Sequence, residues 1–186
     1  MTALATEIPS YTAGTWTIDP THSNVGFSVR HMMVSRVRGR FTDVSGTITT
    51  ADDVTSSSVV AEIAMASIDT GNADRDGHLR TNDFFDIENF PTMTFTSTGL
   101  TATAEVFELT GDLTLRGVTK SITLEGEISG FGPDAYGGTR VGFEAKGSFH
   151  RSDFGVNWNT PLETGGVVVG EKVDIQLDIQ AVLNQA

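Results

Sequence analysis

The feature that most constrains this chain is a two-residue alternation of apolar and polar side chains that recurs along most of its length. It is plainest in VDIQLDIQAVL, where Val173, Ile175, Leu177, Ile179 and Ala181 alternate with Asp174, Gln176, Asp178 and Gln180. Successive side chains of an extended strand point to opposite faces, so such a segment has one apolar and one polar face. The pattern returns at Phe107, Leu109, Leu113 and Leu115, at Val141, Phe143, Ala145, Gly147 and Phe149, and at Val59, Ala61, Ile63 and Met65. Met93 with Phe95 and Ile122 with Leu124 are shorter instances. About eight or nine strands are expected, several longer than the usual five or six residues. Glycine turns separate them, as in RGVT at 116–119 and GPDAYGG at 132–138. Long antiparallel strands with one apolar face must bury that face, and closure into a barrel also removes their edges. The expected fold class is all-β.

The stretch THSNVGFSVRHMMVSRVRGRF, from Thr21 to Phe41, combines this alternation with an unusual charge. The chain has 186 residues and a formal net charge of −12, yet Arg30, Arg36, Arg38 and Arg40 are four of its twelve basic residues. No acid falls between Asp19 and Asp43. Val25, Phe27 and Val29 share one face, and after a break at HMMVS, Val37, Gly39 and Phe41 alternate with the arginines. The phase then shifts to Val44, Gly46 and Ile48, which predicts a β-bulge near Asp43. The arginines are therefore one face of a strand whose other face is buried.

The acidic balance repels nucleic acid and anionic surfaces at long range, so no nucleic-acid partner is expected. No window approaches eighteen consecutive apolar residues, so the chain is not expected to span a membrane. The start, MTALATEIPSYTAGT, has neither a basic n-region nor a long apolar stretch; a cytoplasmic location is the expectation. The length favours one domain, read as a flexible segment over residues 1–13 followed by a single domain over 14–186. With no cysteine, disulfides and thiolate metal sites are excluded.

Motifs that suggest chemistry are few. NADRDGHLRTND sets Asn72, Asp74, Asp76, Gly77 and Asp83 in near-register with a calcium loop. The leading ligand is a neutral Asn, the trailing one a short Asp, and a strand precedes it, so a capped helix is the better reading. His22, His31, His78 and His150 never pair at metal-binding spacing, and no metal is expected. There is no G-x-S-x-G, P-loop or G-x-G-x-x-G, and no catalytic residue is assigned. HRSDFGVNW, 150–158, groups Arg151, Asp153 and Trp158, and reads as a fastening of a barrel end.

Four segments together resemble the YceI-like family of polyisoprenoid-binding proteins: WTIDPTHSNVGFSVRH with VRGRF, SIDTGNADRDGHLRTNDFFD with FPTMTF, GDLTLRGVTKSITL, and RSDFGVNW. They follow the family's order over roughly residues 14 to 183. The resemblance implies an eight-stranded, antiparallel, extended lipocalin-like β-barrel with one or two short helices, enclosing an apolar tunnel. It implies a long isoprenoid chain as ligand, a polyprenyl phosphate or an isoprenoid quinone, with no other cofactor, and a homodimer. Many relatives are periplasmic.

Combined with the alternation, this makes Val25, Phe27, Val29, Phe41, Ile63, Phe84 and Phe95 expected tunnel residues. Phe107, Leu109, Leu115, Phe143, Phe149, Ile175 and Leu177 complete the wall. Arg38 is the first candidate for an acidic headgroup, since paired N–H donors suit phosphate; His31, His78 and Arg80 follow. The function expected is non-enzymatic binding, storage or transport of a long isoprenoid lipid. The alternatives are a barrel isomerase or cyclase acting on a hydrophobic chain, and a protein-binding module.

Overall fold

Residues 3–185 are described here, in a computed structural model; residues 1, 2 and 186, at the outer ends of the two expected segments, lie outside them. In chain order the elements are α1 (Ala3–Glu7), β1 (Gly14–Ile18), β2 (Asn24–His31), β3 (Ser35–Phe41), β4 (Val44–Thr50), β5 (Ser58–Ala64), β6 (Ile68–Asp69), α2 (Ala73–Arg80), β7 (Thr92–Ala102), β8 (Val106–Leu115), β9 (Val118–Pro133), β10 (Thr139–His150) and β11 (Val169–Leu183). Every strand pairing is antiparallel.

The strands close into an eight-stranded barrel because three pairs of them are single staves broken once. β1 and β2 share one stave, with β11 on one side and β4 or β3 on the other. β3 and β4 form the next stave, broken at Thr42–Asp43, and β5 and β6 the third, broken by the 3₁₀ turn Met65–Ser67. The break at Asp43 is the predicted phase shift. Phe41 faces Ile68 and Val44 faces Ile63. Phe41 and Val44, three residues apart, are therefore both buried, and the Ala64 N–H donates to the Asp43 carbonyl across the gap (3.0 Å).

Two clusters hold the closure. Trp16 is fully buried, and its indole N–H donates to the Thr50 hydroxyl (2.8 Å), which in turn donates to the Thr12 carbonyl (2.7 Å). On the seam between β1 and β11, the Asp19 N–H donates to the Gln180 carbonyl (2.8 Å). Arg140 donates to Asp19 (2.7 Å), to the Gln180 side chain (2.7 Å) and to Asp134 (3.3 Å). His22 Nδ1 lies 2.7 Å from the same Asp19 carboxylate. The Asp19 carboxyl is held far below the usual carboxylate range, first by the Arg140 guanidinium and then by His22.

The N-terminal segment, expected to be flexible, carries α1 and packs on one end of the barrel. Ala5 and Ile8 are buried with Val54, the Tyr11 ring meets Phe131 at 5.2 Å, and the Tyr11 hydroxyl donates to the Ala51 carbonyl (2.6 Å). The would-be calcium loop is a capped helix. The Asn72 side chain accepts from the Arg75 N–H, the buried Asp76 accepts from the Thr70 N–H and hydroxyl, and Asp83 is paired with His78. These oxygens serve separate local partners and do not converge.

Trp16→Ala is expected to cost about 3–5 kcal/mol in urea unfolding, and Thr50→Val about 1–3 kcal/mol by stranding the buried indole N–H. The seam also sets an acid limb. Because the folded Asp19 titrates below its unfolded value near 3.9, its stabilisation is complete above about pH 4 and fades as pH falls through the folded value. Asp19→Asn is expected to be less stable than the parent at pH 7, with the difference shrinking below pH 4 in denaturant titrations across pH.

Candidate functional site

The inward residues of the staves surround a cavity of ≈ 280 Å³. All fourteen residues expected for the tunnel lie on its wall: Val25, Phe27 and Val29 from β2, Phe41 from β3, Ile63 from β5, and Phe95 from β7. Phe107, Leu109 and Leu115 come from β8, Phe143 and Phe149 from β10, Ile175 and Leu177 from β11, and Phe84 from the segment after α2. For the thirteen on strands, inward position is a matter of strand parity, which the alternation carries. Phe27, Phe107, Phe143 and Leu177 are only half-buried although they point inward, because part of their surface borders the cavity.

An eight-stranded barrel is wide enough either to be filled by its own side chains or to hold one small ligand, so what keeps this one open needs an explanation. Three phenylalanines lie over glycines of neighbouring strands. A Cβ placed on Gly39 would lie 2.5 Å from the Phe27 ring, one on Gly111 2.3 Å from Phe95, and one on Gly126 2.3 Å from Phe107. Phe27 and Gly39 are register partners, as are Phe107 and Gly126. Each ring thus takes wall space that a side chain would have filled and leaves the lumen to a ligand. Inward glycines that face aromatics across a strand pair are the sequence signal for this.

The wall is polar only at its ends. Tyr11, Thr50, Ser57 and Ser58 lie toward the α1 end. At the other end, Arg151 is the one charged residue on the wall among the described residues. Burial lowers its pKa, while Glu171 acts in the opposite sense. Its guanidinium donates to the carbonyls of Gly170 (2.9 Å), Val156 (3.0 Å), Trp158 (2.9 Å) and Val169 (3.4 Å). Phe154 and Val156 are buried beside it, and Trp158 packs on Phe84 and His78 at 5.3 and 5.0 Å. HRSDFGVNW therefore fastens this end, with backbone carbonyls and not Asp153 as the arginine's partners.

None of the four headgroup candidates reaches the cavity wall. Arg38 faces Ser28 on the outer surface of the hairpin, with the parity of Arg36 and Arg40. His31 ends β2 at the register of Ser35. His78 is held by Asp83 (2.8 Å), and Arg80 donates to the carbonyls of Ala66 (3.0 Å) and Ile68 (3.2 Å). Paired N–H donors suit a phosphate wherever they lie, but parity and local carbonyls decide which way a side chain is drawn. Arg151, which the sequence presents as a fastener, is the cation that the fold brings to the wall.

Comparison with known proteins agrees with this architecture. The UPF0312 protein of Staphylococcus epidermidis is 40% identical over 165 residues, spanning 85% of this chain and 91% of its own. Protein YceI of Escherichia coli O157:H7 is 38% identical over 162 residues, covering 87% and 82%. A polyisoprenoid-binding domain from Saccharophagus degradans superposes with a TM-score of 0.71 over 93% of this chain and 100% of that one. At 16% identity it speaks for the fold alone. The sequence pattern of the YceI-like domain matches residues 16–181, from the tryptophan that locks the seam to the end of the apolar face of β11, and the chain belongs to the YceI-like domain family.

Proposed function

We propose that this protein binds a single isoprenoid chain inside the barrel and serves as its carrier or store. The observation that carries the reading is the wall itself, apolar throughout its middle and polar only at its ends. Burying a chain there is worth about 0.8 kcal/mol per methylene before ordering costs. A cavity of ≈ 280 Å³ lies at the lower edge of ordinary small-ligand sites, about 300–1,000 Å³. It suits one extended chain in single file, selected by width and length. A solved polyisoprenoid-binding domain is built on the same barrel, so the fold is able to house such a chain.

For the ligand's polar end, Arg151 replaces Arg38 as the residue of choice. A guanidinium has five N–H donors, and four contacts to carbonyls leave one donor for a phosphate at this end. A quinone head would be served as well by the Ser57 hydroxyl at the other.

The enzyme reading needs a proton donor or acceptor beside the chain. Among the described residues no carboxylate or imidazole lines the cavity. The Tyr11 hydroxyl, whose pKa burial raises, is engaged by the Ala51 carbonyl. This favours binding over catalysis.

Mass spectrometry of an organic extract of the purified protein is expected to show a stoichiometric prenyl lipid, whose head identifies a phosphate or a quinone. An empty extract, repeated after incubation with both classes, would overturn the carrier reading. Gly39→Ala meets only side chains, Phe27 and Thr70, so Phe27 is expected to swing into the lumen. Displacing about two methylenes should weaken a long prenyl ligand roughly tenfold, read in a titration against the parent protein.

A further inference from the structure

The arms of the β2–β3 hairpin meet at His31-Met32-Met33-Val34-Ser35, and this tip is oddly built. Met32 and Met33 have φ of +50° and +62°, and the Val34 N–H donates to the His31 carbonyl (3.2 Å). This tight turn favours Asn and Gly at its two central positions, and two bulky apolar residues occupy them instead. Their side chains do not turn inward. Met32 is 46% exposed, Met33 54% and Val34 83%. The loop before β11 is tied to the tip by the Met32 N–H donating to the Val168 carbonyl (2.8 Å) and adds Val167, 36% exposed. A strained turn that leaves about half of each methionine and most of Val34 in water returns little packing to the fold.

Charge and position add to this. β2, β3 and the loop 159–168 carry Arg30, Arg36, Arg38 and Arg40 against Glu163 alone. Arg36 shares Asp174 of β11 with Lys172, and Arg40 lies 3.8 Å from Asp69. Arg30 and Arg38 make no ion pair among the described residues. The tip also adjoins the cavity: Val29 and Val169 line it, and Val169 is the register partner of His31.

We propose that the Met32–Val34 tip, with Val167, docks on an anionic lipid bilayer. The four apolar side chains enter the boundary between headgroups and acyl chains, where unbranched methionine adapts to a disordered medium. Arg30 and Arg38 meet lipid phosphates. The charge of −12 is repelled by the same surface, which orients the molecule tip-first. A protein partner fits less well, since stable interfaces engage about 20–30 residues a side. Docking here would let cargo pass between bilayer and cavity; that consequence rests on the carrier reading, while the docking does not.

The test is sedimentation of the full chain with phosphatidylcholine vesicles with and without phosphatidylglycerol. The parent protein is expected to sediment with the anionic vesicles, and less so at high salt. Met32→Asn with Met33→Gly installs the favoured turn, so Tm should rise by about 2–4 °C while vesicle binding falls at least roughly tenfold. A tip that serves only the fold predicts a lower Tm and unchanged binding. Arg30→Gln with Arg38→Gln should weaken binding to anionic vesicles only. Parent protein that binds no vesicle, or a turn variant that binds as well as the parent, would overturn the proposal. So would a dimer that the turn variant splits while the parent ignores vesicles, a result assigning the tip to a second copy. Vesicle binding does not depend on what the cavity holds, so an empty extract leaves this result standing.

Discussion

The rest of the structure depends on β11 finding hydrogen-bonding partners on both of its edges. On one side it runs against β10, and on the other it is shared by β2 along its first two thirds and β1 along its last residues. Without that second edge the sheet is an open ribbon with its apolar face in water and two long strands inviting aggregation. Closure is what turns an alternating sequence into an inside and an outside. The locks lie where the seam is made: Trp16 is buried on the indole–Thr50 hydrogen bond, and Arg140 spans Asp19, Gln180 and Asp134. The breaks at Asp43 and Met65–Ser67 belong to the same requirement, since strongly tilted staves bend where their registers shift.

A closed barrel of eight strands can be filled by its own side chains. The space inside survives because Phe27, Phe95 and Phe107 lie across Gly39, Gly111 and Gly126. The aromatic surface is kept, but as wall. One arrangement thus does two opposed things, completing the packing between strands and withholding side chains from the axis. The cost is tolerance: a single methyl group at one of these glycines pushes a ring toward the ligand.

The two ends differ. At one, α1, Tyr11 and Phe131 pack beside hydroxyls; at the other, Arg151 gathers four backbone carbonyls under an aromatic cover. Beyond this second end stands the hairpin with its exposed methionines. The arginines that stand out in the sequence divide accordingly. Arg36 and Arg40 pair with carboxylates on the outer surface, and Arg30 and Arg38 stay available beside the tip. A polar outer face of an edge-exposed hairpin is what keeps strands from pairing between molecules, and the same charges suit a phosphate-covered surface.

The sequence by itself determined the long alternating strands and their inward faces, because side-chain parity is a local property of extended backbone. Val25, Phe107 and Ile175 could be assigned to the lumen from their neighbours alone, and the phase change at Asp43 was visible as a change of parity. Tertiary structure decided what parity cannot express. Arg38 lies outside and Arg151 inside, because the turn after β10 brings Arg151 to a cluster of carbonyls distant in sequence. α1 is packed because Val54 and Phe131 lie beside it, which a five-residue segment does not announce. The cavity exists because rings on one strand lie over glycines on the next, a relation between residues twelve or more positions apart that appears only once register is set.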